Sequence, residues 1–116
     1  MKKLAILFFA FCFTSCSVFS SLNSNTSIPP KEKFVLGDNS HGKFKTHLRN
    51  EGETALHIYL APNEGGTHTH VELQPKESTS VTTPKNTALI IENLGEKTAS
   101  VTLKVKGDLN LGMTYQ

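Results

Sequence analysis

Residues 43–60 read KFKTHLRNEGETALHIYL, and their alternation decides the fold class. Phe44, Thr46 and Leu48 alternate with Lys43, Lys45, His47 and Arg49. After a polar break, Leu56, Ile58 and Leu60 alternate with Ala55, His57 and Tyr59. A period of two places each set on its own face of a β-strand. Phe44, Leu48, Leu56 and Ile58 are therefore expected to face a core, and His47, Arg49, Glu53 and His57 to face water. Paired strands must set like faces opposite each other. A three-residue loop, Asn50-Glu51-Gly52, meets that condition by pairing Arg49 with Glu53, Thr46 with Leu56 and Phe44 with Ile58. Such a hairpin asks for positive φ at Gly52 and a hydrogen bond from the Asn50 side chain within the turn.

Downstream the same period continues. Val71 and Leu73 predict a strand over about residues 67–73 with His68, His70 and Glu72 outward, which would complete a three-stranded meander. Pro62-Asn63-Glu64-Gly65-Gly66 is a turn by composition. Leu73-Gln74-Pro75-Lys76-Glu77-Ser78 has the shape of a corner where a chain leaves one sheet for another. Further strands are expected near residues 78–82, 88–92, 99–106 and 109–115. The continuous apolar run Leu89-Ile90-Ile91 marks a central strand. Val101, Leu103 and Val105 alternate with Thr102, Lys104 and Lys106, so that strand has one wet face. Residues 93–97, containing Gly95, read as a hairpin loop, and Phe34-Val35-Leu36 as a short first strand. A helical period is nowhere sustained. The expectation is an all-β fold: a small antiparallel β-sandwich of seven to eight strands over residues 34–116.

Upstream, residues 17–33 read SVFSSLNSNTSIPPKEK, rich in Ser and Asn and ending near Pro29-Pro30. This composition predicts a flexible linker, with a mean reach on the order of 20–25 Å. Residues 1–16 read MKKLAILFFAFCFTSC: two lysines, an uncharged apolar run from Leu4 to Phe13, then small residues. That order is a secretory signal peptide. The run is shorter than the roughly 17–25 apolar residues that a spanning helix needs.

Phe13-Thr14-Ser15-Cys16 resembles the lipobox of bacterial lipoproteins, and the Phe-rich core is similar to signals of Bacteroidetes lipoproteins. Thr14 and Ser15 fit that pattern, whereas Phe13 stands where an aliphatic residue is usual. The resemblance implies cleavage before Cys16 and acylation of that cysteine. Ser17 at the next position implies the outer membrane, with the periplasmic face as the expected location. The organisation expected is a signal over residues 1–15, a lipid-anchored linker over 16–33 and the sandwich over 34–116.

Charge and cysteine usage narrow the function. The formal charge of +2 equals the contribution of Lys2 and Lys3, so the chain after the signal is balanced. No run of basic residues remains, which predicts neither a nucleic-acid partner nor a polybasic membrane patch. The two cysteines are Cys12, inside the signal, and Cys16, so acylation would leave no thiol for a disulfide, nucleophile or metal thiolate.

Of the five histidines, His47, His57, His68 and His70 are expected on one outward face. His68 and His70 stand two apart on a strand, with His57 on the neighbour. Three imidazoles so placed would suit a tetrahedral zinc or copper ion, making His57, His68 and His70 the candidate metal ligands. No nucleophile elbow or phosphate loop accompanies them. The leading expectation is a non-enzymatic binding or structural module of the cell envelope. It would carry no cofactor beyond the covalent lipid, hold the membrane through that anchor, and bind an envelope protein. The alternative is metal binding or sensing through the histidines.

Overall fold

The computed structural model describes residues 21–116, which form nine strands and no helix. β1 (Ser21–Ile28), β8 (Ala99–Gly107), β3 (Phe44–Asn50) and β6 (Ser78–Thr83) make a four-stranded antiparallel sheet in that spatial order. β5 (His68–Leu73), β4 (Leu56–Pro62), β7 (Thr87–Asn93), β2 (Lys33–Leu36) and β9 (Met113–Tyr115) make a five-stranded sheet. The all-β sandwich expected from the alternation is the fold. Its core is Ile28, Phe44, Leu48, Val101, Leu103 and Val105 from one sheet against Phe34, Leu36, Leu56, Ile58, Leu73, Leu89 and Ile91 from the other. β7, with the Leu89-Ile90-Ile91 run, is the central strand of the larger sheet.

The connectivity departs from the local reading. β3 and β4 are not a hairpin: they lie in different sheets, β3 between β6 and β8, β4 between β5 and β7. Among these connections only β4–β5 stays within one sheet. The expected hairpin loop over residues 93–97 also crosses, from β7 to β8, and the expected corner at residues 73–78 does cross, from β5 to β6. A crossing and a hairpin leave the same residues inward, because each strand turns its apolar face to the shared core in either case. Alternation therefore placed Phe44, Leu48, Leu56 and Ile58 correctly inside while leaving the sheet of each strand open.

Two buried asparagines hold the crossings at one end of the sandwich. Asn50 and Asn93 are both 0% exposed. Asn50 Nδ2 donates to the carbonyls of Thr54 at 2.8 Å and Leu73 at 3.1 Å, and its Oδ1 accepts the Gly52 N–H at 3.1 Å. Its backbone binds the β5–β6 corner, with Asn50 N–H to Glu77 O and Lys76 N–H to Asn50 O. Asn93 Nδ2 reaches the carbonyls of Ile28, Pro29 and Lys97, and its Oδ1 accepts from Gly95 N–H at 2.9 Å. Each asparagine thus ties strands of both sheets. The Asn50 bond within its turn was expected. Positive φ at Gly52 was not found, and a Cβ there would sit 3.2 Å from the Ser100 nitrogen. Gly95 is tighter still: a Cβ would fall 1.8 Å from Thr54 Oγ1.

The expected linker over residues 16–33 is corrected for its described part. Residues 21–28 are strand β1, paired with β8 along its whole length from Ser21↔Lys106 to Ile28↔Ala99. Thr26 and Ile28 are buried, and Ile28 alone stabilises by about 2 kcal/mol. Apart from Leu22, which packs on the core, the rest of the strand is polar, so its main gain is the backbone ladder, which composition does not reveal. The chain then turns at Pro29-Pro30-Lys31-Glu32, with Lys31 at φ 65 and Glu32 N–H on Pro29 O. The domain therefore begins by Ser21 and not at residue 34. Leu109 and Leu111, expected in the last strand, pack on the core from a loop instead, and β9 is confined to Met113–Tyr115. The signal region and Cys16 lie outside the described residues.

Two predictions follow from these contacts. Asn50→Ala removes three side-chain hydrogen bonds and leaves buried carbonyls unmatched, at a cost of about 3 kcal/mol. It should appear as a lower urea midpoint at unchanged slope. The second concerns Asp108, whose carboxylate accepts Gly42 N–H at 2.6 Å and Asn110 N–H at 3.0 Å. Those bonds, Gly42 first, hold its pKa below the ordinary 3.8. A depressed carboxylate contributes stability that is fully present above its unfolded value and lost as pH falls through the folded one. Between about pH 5 and about pH 2, wild type should therefore lose more stability than Asp108→Asn in acid-titrated denaturation curves.

Candidate functional site

The outer face of the five-stranded sheet gathers the chemistry. His57 lies in a cross-strand row with Glu72 on β5 and Glu92 on β7, and Glu92 is followed by Lys33 on β2. The β4–β5 pairing is interrupted by a bulge. Ile58 faces Val71 and Leu60 faces His68, so Thr69 and His70 together oppose Tyr59. Thr69 takes φ 58 to accommodate the extra residue.

The bulge decides which histidines meet. His70 lies over Tyr59, ring centroids 5.2 Å apart and planes at 18°, and stacks on His57 at 5.1 Å. His57 and Tyr59 are 5.0 Å apart. Tyr59 points outward along the strand yet is only 8% exposed, because the two imidazoles cover it. His68 takes the register of inward-facing Leu60, out of step with His70, and its Nδ1 engages Thr69 Oγ1 at 2.8 Å. His47 is on the other sheet, bonded to Ser80 Oγ at 3.0 Å. The single histidine face expected from the alternation is thus split.

Of the candidate metal ligands His57, His68 and His70, only the first and last come together. That is one short of the three protein ligands usual at a zinc site. Among the described residues no group of three His, Cys, Asp or Glu side chains is arranged to hold a metal ion. Among the described residues His57, His68 and His70 are not gathered into one site, because the bulge breaks the i, i+2 relation on which the zinc or copper expectation depended.

A polar chain does form. His57 Nε2 and His70 Nδ1 are 3.0 Å apart, His70 Nε2 is 3.2 Å from Thr67 Oγ1, and His57 Nδ1 is 3.6 Å from Glu92 Oε1. Three of the four ring nitrogens are within hydrogen-bond distance of a partner, and the fourth, His57 Nδ1, lies at ion-pair distance from Glu92. Beside this chain lies a shallow cleft of about 370 Å³, lined by His57, His70, Val71, Glu72 and Leu94. Leu94, at its rim, is 49% exposed. An apolar band runs on from Tyr59 through Ile90 to Val35 in successive strands.

Sequence reasoning missed His41, which is buried with Nε2 2.8 Å from Thr87 O and its ring 5.1 Å from Phe44. The neighbouring Gly37 and Gly42 gave no alternation from which to read its burial. The proximity of His57 and Tyr59 to His70 was legible, since either plausible register of β4 against β5 brings them close; the same expectation for His68 was not met.

No protein-family model matches the chain, and no curated protein matches it. Solved structures do. The chain is similar to CapF in complex with 3-isopropenyl-tropolone, at 15% identity and TM-score 0.52, over 76% of this chain and 24% of that one. The Yersinia pseudotuberculosis-derived mitogen matches at 15% identity and TM-score 0.49, over 76% and 86% of the two chains. A sugar phosphate isomerase of the cupin superfamily from Silicibacter pomeroyi matches at 12% and 0.49, over 75% and 50%. The chain spans half of that isomerase and about a quarter of CapF. At such identities the likeness to CapF concerns the two-sheet fold alone.

Proposed function

We propose that this protein is a lipid-anchored module of the cell envelope that works by binding rather than by catalysis. Acylated Cys16 holds it to the outer membrane, on the periplasmic face, and the cleft beside His57, His70 and Tyr59 receives an envelope protein. The observation that carries the reading is the ring stack with its apolar rim. Three rings within about 5 Å of one another, flanked by Val71 and Leu94, offer a rigid surface of mixed character. Such surfaces suit aromatic or aliphatic anchors of a protein partner.

The anchor part of the reading rests on the lipobox resemblance. Residues 21–28 belong to strand β1, so the stretch between Cys16 and the described domain is shorter than the linker expected from composition. The domain then stays close to its membrane.

Fractionation tests the anchor: Cys16→Ser should move the protein from the membrane to the soluble fraction, and mass spectrometry of wild type should show an acylated N-terminal cysteine. A photo-crosslinking residue at position 94 tests the cleft. It should capture a discrete envelope protein in wild type, and His70→Ala or Tyr59→Leu should cut the yield at least several-fold. Membrane retention without Cys16, or crosslinking indifferent to both substitutions, would overturn the corresponding part.

A further inference from the structure

The outer face of the four-stranded sheet is built differently from the face just described. Its outward strand positions are Lys45, His47 and Arg49 on β3, Ser100, Thr102, Lys104 and Lys106 on β8, Ser78, Ser80 and Thr82 on β6, and Ser21, Asn23, Asn25 and Ser27 on β1. No acidic residue occupies any of them. Lys45 is the direct cross-strand partner of Lys106, and His47 of Lys104. Lys43 extends the cluster beyond the start of β3, beside Lys45 and Lys106.

Like charges set opposite each other destabilise a strand pair. Nothing among the described residues relieves them. Among the described residues none of Lys43, Lys45, Lys104 and Lys106 forms an ion pair with a carboxylate. Residues 1–20 contain no Asp or Glu at all. The nearby acid, Asp108, is turned to the N–H groups of Gly42 and Asn110. Glu51, at the opposite end of the sheet, is taken by Arg49 and Thr102. The lysines surround a depression floored by Ser80 and His47, which are hydrogen-bonded to each other at 3.0 Å and leave one further N–H or O–H to donate to an anion. The balanced charge of the chain hid this: the expected absence of a basic patch fails because residues 45, 104 and 106 meet only through the β3–β8 pairing.

The cluster has a definite place relative to the start of the domain. Ser21 pairs with Lys106, which pairs with Lys45, so the chain enters β1 at the lysine-bearing end of the sheet. Five peptide units separate Cys16 from Ser21 and can span at most about 18 Å. A lipid on Cys16 would hold this end within reach of the headgroups.

We propose that this basic sheet face binds the phosphate-bearing headgroups of an anionic bilayer, the surface in which the anchor sits. The choice of a bilayer over another polyanion rests on the anchoring reading above; the charge complementarity does not. Acyl chain and basic patch then act as two membrane signals that also orient the domain. The four-stranded sheet faces the bilayer and the ring stack on the opposite sheet faces away.

The test uses the unlipidated chain from Ser17, which keeps all nine strands and the whole core, so that failure of lipidation cannot affect it. In flotation at low salt it should bind vesicles rich in phosphatidylglycerol and not vesicles of phosphatidylcholine, and release at about 0.5 M salt. Removing charge should weaken partition about fivefold per lysine in Lys104→Gln and Lys106→Gln. Lys45→Glu places opposite charges in the Lys45–Lys106 pair, so it should keep or raise stability while abolishing flotation. Lys33→Gln, on the opposite sheet, should change nothing. Unchanged flotation in the lysine variants, equal binding to neutral vesicles, or retention of duplex DNA or an acidic polysaccharide without vesicle binding would each overturn the proposal.

Discussion

The structure depends on satisfying backbone groups where the chain crosses between sheets. Two sheets packed face to face bury their loop ends, and a buried carbonyl without a donor costs more than the average hydrogen bond contributes. In this chain most connections cross, so the demand recurs at each end of the sandwich. Asn50 and Asn93 answer it at one end, each with an amide that donates across the gap and an oxygen that accepts from a following glycine. Thr54 links the pair: its carbonyl accepts from Asn50 and its hydroxyl lies 3.5 Å from Asn93 Oδ1. Gly95 has to be glycine because that hydroxyl occupies the space of a side chain.

With the ends closed in this way, the two outer faces are free to differ. One extra residue on β5 converts a row of evenly spaced histidines into a stack over Tyr59 and removes His68 from it. A bulge on this edge strand also makes further strand pairing there harder. The opposite face keeps a regular ladder and concentrates cations at the end where β1 begins. One domain thus presents an aromatic-imidazole surface on one side and a positive surface on the other, with a filled core between them.

Strand β1 shows why local reading fell short. SLNSNTSI has the composition of a linker, and only Leu22 and Ile28 hint at an inward face. Its place is secured by pairing with β8, about 70 to 85 residues away, whose own alternation was plain. The same holds for the lysines: each reads as an ordinary solvated position until register sets it beside another.

What the residues determined by themselves was the period. Alternation in 43–60 and 101–105 settled strand, inward face and core, and the apolar run at 89–91 settled the central strand, because side-chain direction in a strand is a local property of the backbone. The association of His57 and Tyr59 with β5 was also legible. Tertiary structure alone decided which sheet each strand joins, since hairpin and crossing bury the same side chains. It alone decided that His70 and not His68 meets His57, since a bulge changes direction without changing composition. And it alone gathered Lys45, Lys104 and Lys106, since charges distant in sequence become one field only when strand pairing brings them together.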